Sequence, residues 1–164
     1  AFTEEGDAMM VMQPVYYPFS EVIKNDGRRL VNCQLRYENN HYSIDFEKME
    51  KMIREEGVKA LIFCNPHNPV GRVWTKEELA RVGEICKKNN VLVIADEIHS
   101  DLVYAGYVHT PFALASDAPH LLCTSLGKTF NVAGLRLANI FSSSAELKKQ
   151  YDQEIDAYSY SGHR

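Results

Sequence analysis

Apolar residues in this chain gather into short unbroken runs, separated by polar stretches of helical length. The first run is Ala8-Met9-Met10-Val11-Met12, entered through the turn residues Gly6-Asp7; residues 58–64, 91–95 and 120–124 are three more. Continuous apolar runs of this length, without polar alternation, fit strands covered on both faces, as in a parallel sheet with helices above and below it. Two polar stretches carry a helical signal. Residues 43–56 bring Ile44, Met49, Met52 and Ile53 on or near one face. Residues 75–90 begin with Thr75 and have Glu78 three positions later, the pair that makes a capping box.

The remaining segments complete the pattern. Residues 1–7 read as a helix tail and a turn, residues 14–18 as an aromatic-rich loop, and residues 20–25 as a short helix. Residues 28–35 and 136–141 read as strands, Asn39-Asn40 as a turn, and residues 144–157 as a helix capped by serine. Strand and helix in succession predict an α/β fold, a three-layer α/β/α sandwich around a mostly parallel sheet. A length of 164 residues suits about one domain.

Composition narrows the function classes. The chain is 45% hydrophobic and 24% charged, ordinary for a globular domain, and its net charge of −4 gives no reason to expect nucleic acid or an anionic membrane as partner. No run approaches the roughly 20 apolar residues of a membrane span, and no secretory leader pattern opens the chain. The expected location is therefore the cytoplasm. None of Cys33, Cys64, Cys86 and Cys123 forms a C-x-x-C pair, and buried free thiols are expected.

In a doubly wound sheet, ligands gather beyond the carboxyl ends of the strands. Here those ends lead into Gln13-Pro14-Val15-Tyr16-Tyr17, into Asn65-Pro66-His67-Asn68-Pro69-Val70-Gly71, into Asp96-Glu97-Ile98-His99, and into Ser125-Leu126-Gly127-Lys128. Asp96, straight after a buried strand, is either an ion-paired or capping carboxylate or the partner of a cationic ring nitrogen. Lys128, in a glycine-containing loop, is either a solvated charge or an amine set up for Schiff-base chemistry. Ser125 and Arg136, with backbone N–H groups, suit a phosphate dianion, although Arg136 equally suits a surface ion pair. Asn68 supplies turn chemistry or a rigidly held amide donor. Tyr16 and Tyr17 are packing aromatics or a stacking face for a flat ring. His67 and His99 raise the question of a metal, but no third ligand accompanies them, and no metal site is expected.

These motifs, in this order and spacing, resemble the class I/II aminotransferases, pyridoxal-phosphate (PLP) enzymes of fold type I. The resemblance runs from about residue 1 to about residue 158, and residues 158–164 depart from it. It implies that Lys128 joins the cofactor aldehyde and later shuttles a proton, and that Asp96 pairs with the protonated pyridine nitrogen. It further implies that Asn68 donates to the ring hydroxyl oxygen, that Tyr16 stacks on the ring, and that Ser125 and Arg136 hold the phosphate. His99 stands where many relatives have a tyrosine that contacts the same ring oxygen. Within the superfamily, residues 14–19, 65–74, 96–102 and 127–135 resemble the cystathionine β-lyase, or C–S lyase, subgroup. That implies a small amino-acid substrate, α,β-elimination to a thiol, pyruvate and ammonia, and a homodimer.

The same resemblance implies that the chain is a partial PLP-binding large domain. The N-terminal segment and the C-terminal small domain of such enzymes have no counterpart in it, and the chain alone is expected to be inactive. An aminotransferase and a non-catalytic α/β module are the alternative readings.

Overall fold

A computed structural model describes residues 1–157. The departure from the family pattern noted over residues 158–164 lies outside the described residues. Six strands form one sheet in the order β2-β1-β5-β6-β7-β8. They are β1 (Ala8–Val11), β2 (Arg29–Asn32), β5 (Val58–Cys64), β6 (Leu92–Asp96), β7 (His120–Thr124) and β8 (Asn139–Ser142). All neighbours are parallel except β7 and β8. Helices cover both faces, as the apolar runs predict. Met49 and Ile53 of α2 (Phe46–Glu56), Leu79, Val82, Ile85 and Cys86 of α3 (Lys76–Lys88), and Phe112 of α4 (Phe112–Ala115) pack with Met10, Leu61, Phe63 and Val93. On the other face, Ile23 of α1 (Pro18–Asn25) and Leu147 of α6 (Ala145–Ala157) meet Met9, Val11, Ala60 and Leu92. Adjacent residues of β1 thus enter opposite cores, as the two-residue period of a strand requires.

Local chemistry accounts for the helix starts. Thr75 Oγ1 accepts from the Glu78 N–H at 3.2 Å, while Glu78 Oε2 accepts from the Thr75 N–H at 2.8 Å, completing the capping box. Ser144 Oγ accepts from the Leu147 N–H at 3.2 Å at the start of α6. Gly83, inside α3, lets the helix approach α4: a Cβ there would lie 1.9 Å from Ser116 Oγ.

The structure corrects several sequence expectations. Residues 1–4 are not helical, and the turn at Glu5–Gly6 follows them directly. Residues 36–43 form a hairpin, β3 (Arg36–Glu38) and β4 (His41–Ser43), turning on Asn39 and Asn40, both with positive φ. The strand expected over residues 28–35 therefore ends at Asn32. The helix expected from Ser43 starts at Phe46, with Asp45 accepting from the Lys48 N–H at 3.0 Å. The segment after β7 is a helical turn, α5 (Leu126–Thr129), followed by a 3-10 turn, Ala133–Leu135, whose left-handed cap is Arg136. The strand expected from Arg136 consequently begins at Asn139. No helix among the described residues is long and apolar enough to cross a membrane. All four cysteines are free, three of them buried, and burial pushes the Cys64 and Cys86 thiols up to about 12.

Candidate cofactor site

The strand order reverses between β1 and β5: from β1 the chain steps to β2 on one side, and all later strands lie on the other. The loop after β1 leads to α1 on one face, and the loop after β5 leads to α3 on the opposite face. The crevice where such loops diverge is the place for a ligand in this architecture. Asp96 ends β6, and register places it between Cys64 of β5 and Cys123 of β7. The backbone continues the ladder past it, with Asn65 N–H to Asp96 O and Glu97 N–H to Cys123 O, both at 2.9 Å. Antiparallel pairing of Thr124 with Asn139 brings residues 136–138 to the same rim.

Three of the site residues read from sequence share one electrostatic environment. Burial raises Asp96 above the usual carboxylate range, while the Ile98 N–H, His99 and Lys128 pull it down. Burial lowers His99, Asp96 opposes that shift, and the Lys128 charge adds to it. The Lys128 charge thus bears on both Asp96 and His99. Their valences are poorly met within the chain. Among the described residues, the one hydrogen bond to the Asp96 carboxylate comes from the Ile98 N–H at 3.2 Å, and His99 Nε2 is buried without a partner. Lys128 forms no ion pair with the described residues, and it is exposed rather than desolvated, because Gly127 is the residue of α5 that turns inward.

The other site residues divide. Asn68 and His99 both line an open cleft of about 790 Å³, together with His41, Arg72, Tyr104 and Tyr107. Asp96 and Lys128 are not among its lining residues, so the cleft adjoins the charged cluster without containing it. Tyr16 is 43% exposed, its ring held edge-on by Phe19 at 5.5 Å. Arg136 is exposed on the rim and forms no ion pair among the described residues. Ser125 is already engaged: its hydroxyl donates to Leu137 O at 2.7 Å and accepts from the Gly127 N–H at 2.9 Å. Its single proton must leave Leu137 before it can reach an anion.

Several residues that support the site escaped the sequence reading. Glu97, 1% exposed, accepts from the Phe112 N–H at 2.7 Å and from His109 Nε2 at 2.9 Å. Asn65 donates to Thr110 O at 3.2 Å. Together they anchor the far end of the loop that starts at Ile98 and carries His99. Arg72 forms a bidentate pair with Glu78, donates to the Tyr42 carbonyl and lies 4.4 Å from the Trp74 ring centroid. This ties the hairpin to α3. Arrangements of this kind, with a carboxylate, an amine and an open guanidinium around a polar crevice, suit a flat anionic ligand that carries a cationic ring nitrogen.

Comparison with known proteins identifies the family of this fold. Cystathionine beta-lyase PatB of Bacillus subtilis is 44% identical over 143 residues, covering 85% of this chain and 37% of the relative. Cystalysin from Treponema denticola, whose crystal structure contains a pyridoxal 5'-phosphate cofactor, superposes with a TM-score of 0.90 at 41% identity, over 95% of this chain and 40% of that one. A PLP-bound putative aminotransferase from Clostridium difficile 630 gives a TM-score of 0.91 at 40% identity, over 96% and 41%. The chain thus spans about two fifths of the length of these proteins. The family model described as aminotransferase class I and II matches residues 1–163, and with that match, a mostly parallel sheet of the same shape and motifs at the ends of its strands, the chain belongs to the class I and II aminotransferase family.

Proposed function

We propose that this chain is the cofactor-holding part of a PLP-dependent C–S lyase, which cleaves the Cβ–S bond of a thioether amino acid such as cystathionine and, with uptake of one water, gives a thiol, pyruvate and ammonia. One observation carries the reading: Asp96 and His99 follow the end of β6 and Lys128 the end of the adjacent β7, and His99 Nε2 is buried there with no hydrogen-bond partner among the described residues. PLP meets those needs. Its protonated ring nitrogen would give the half-buried Asp96 carboxylate a cation, and its ring oxygen would accept from Asn68 and give His99 Nε2 a partner. Its phosphate would face Arg136, the N–H groups of α5 and, once turned from Leu137, Ser125.

When bound, PLP supplies an electron sink that acidifies the substrate Cα proton. The work of the chain is to hold and move groups around it. Lys128 would hold the cofactor through its amine and serve as the base for the Cα proton. Asp96 would keep the ring nitrogen protonated, and Tyr16 would cover one face of the ring. The preference for elimination rests on the lyase names of the relatives, because every residue named here serves a transaminase equally well. Homologues that include the aspartate aminotransferase of Bacillus subtilis, 29% identical, keep transamination as the second reading. We place the full-length protein in the cytoplasm as a homodimer and expect residues 1–164 alone to be inactive.

The test uses the full-length protein. Pyruvate released from cystathionine without a keto-acid acceptor, and lost in Lys128→Ala, is the expected result. Strict dependence on a keto acid would make it a transaminase. A protein with no PLP-dependent visible band at any cofactor concentration would be a non-catalytic α/β module.

A further inference from the structure

His67 is 2% exposed and sits in the crevice between β1 and β5, where the two loops part toward opposite faces of the sheet. Its Nε2 lies 2.9 Å from the carbonyl oxygen of Pro14. A carbonyl only accepts, so Nε2 carries the proton and Nδ1 is left as a bare acceptor, buried with no partner. Burial also lowers the pKa of this imidazole, in keeping with a neutral ring that has a single N–H. The ring meets Trp74 edge-on at 5.5 Å, and its backbone is held at both groups, the N–H donating to Arg72 O at 2.7 Å and the carbonyl accepting from the Gly71 N–H at 2.8 Å. A histidine that gives one nitrogen to a carbonyl and leaves the other unsatisfied is a poor choice for packing alone. What it gains is a single directed bond across the crevice. On one side of that bond stands Pro14, two residues before Tyr16; on the other, His67 is followed directly by Asn68.

We propose that His67 is a positioning residue that fixes the spacing between the loop bearing Tyr16 and the loop bearing Asn68, and thereby preorganises the PLP site. The inference rests on the cofactor reading above. Without the bond, the β1 and β5 loops lose the side-chain tie that joins them at the crevice, and the stacking face and the amide donor move independently.

The test compares His67→Gln with His67→Asn in the full-length protein. Both are amides of similar polarity. Glutamine can place its N–H close to the position of Nε2 and reach Pro14 O, whereas asparagine is too short. PLP affinity, the visible spectrum of the bound cofactor and the melting temperature of the cofactor-free protein are the three readouts. His67→Asn should bind PLP about tenfold or more weakly with a shifted visible band, as outer-shell residues do when their ligand groups lose orientation, and His67→Gln should stay within about threefold of wild type. His67→Phe, which preserves buried volume without a donor, should behave like His67→Asn. The proposal is overturned if the Asn and Gln variants bind PLP equally well, or if affinity falls only in step with the cofactor-free melting temperature. The two claims separate on the wild type: no PLP band there ends the cofactor reading and this inference with it, whereas a normal band that no His67 substitution alters ends this inference alone.

Discussion

Replacing Glu97 by leucine isolates the contribution of the buried latch behind the site. Glu97 has two partners, the Phe112 N–H at 2.7 Å and His109 Nε2 at 2.9 Å, and the carboxylate is shielded from water. Leucine fills a similar volume but accepts nothing, so both donors stay buried and unpaired. Each such donor costs about 1–3 kcal/mol. We therefore expect Glu97→Leu, which strands two of them, to destabilise this part of the fold by about 4 kcal/mol. Glutamine retains one oxygen for Phe112 and turns an N–H toward His109, whose Nε2 can then accept if the proton moves to Nδ1, which has no partner now. The expected cost of Glu97→Gln is about 1 kcal/mol. Hydrogen exchange at the Phe112 amide reads the effect locally: a loss of about 3 kcal/mol or more means acceleration of at least about 100-fold. If Glu97→Leu accelerates that amide less than about fivefold, or if Gln and Leu behave alike, the latch is not what holds the loop.

Three further perturbations follow from the same coordinates. Gly83→Ala gains about 1 kcal/mol in helix propensity but drives a Cβ to 1.9 Å from Ser116 Oγ and 2.4 Å from Ser116 Cβ, so chemical denaturation should show a net loss of about 1–2 kcal/mol, recovered in Gly83→Ala/Ser116→Gly. Arg72→Lys keeps the charge yet gives up the planar group that reaches Glu78 through Nη2 and the Tyr42 carbonyl through Nη1, and the face that meets Trp74; a loss of about 1–2 kcal/mol is expected in the same assay, and an unchanged midpoint would show that charge alone suffices. Burial raises Asp96, so the cofactor-free folded state holds this proton more tightly than the unfolded state; stability is then greatest below the unfolded pKa and falls as pH rises through the folded one. Asp96→Asn should raise the neutral-pH melting temperature of the cofactor-free protein and flatten its pH dependence, while weakening PLP binding; a lower melting temperature would contradict the burial argument.

Much of the fold was legible because its signals are local. The apolar runs at 58–64 and 120–124 coincide with β5 and β7, and Thr75 with Glu78 marks the start of α3 to the residue. The hairpin at 36–43 was missed because three-residue strands carry too little alternation to stand out beside the helical period that follows. Arg136 reads as a strand residue until its left-handed backbone is seen. The same division holds at the site. Residues at strand ends are visible in sequence, since an abrupt change from apolar run to Asp96 or Ser125 marks a rim. Their supports are not: Arg72 meets the Tyr42 carbonyl 30 residues away, and His67 meets Pro14 across 53. Only folding makes such pairs neighbours. Ser125 shows the reverse limit: the sequence offers a hydroxyl at the rim, but its proton is already committed to Leu137.

The claim on which the rest depends is that Lys128, beside Asp96 and His99, is the amine that takes the cofactor. Incubating the full-length protein with PLP, reducing with borohydride and mapping the labelled peptides tests it directly. The label should fall on Lys128 and weaken in Asp96→Asn. Label confined to other lysines, or none, would contradict the account.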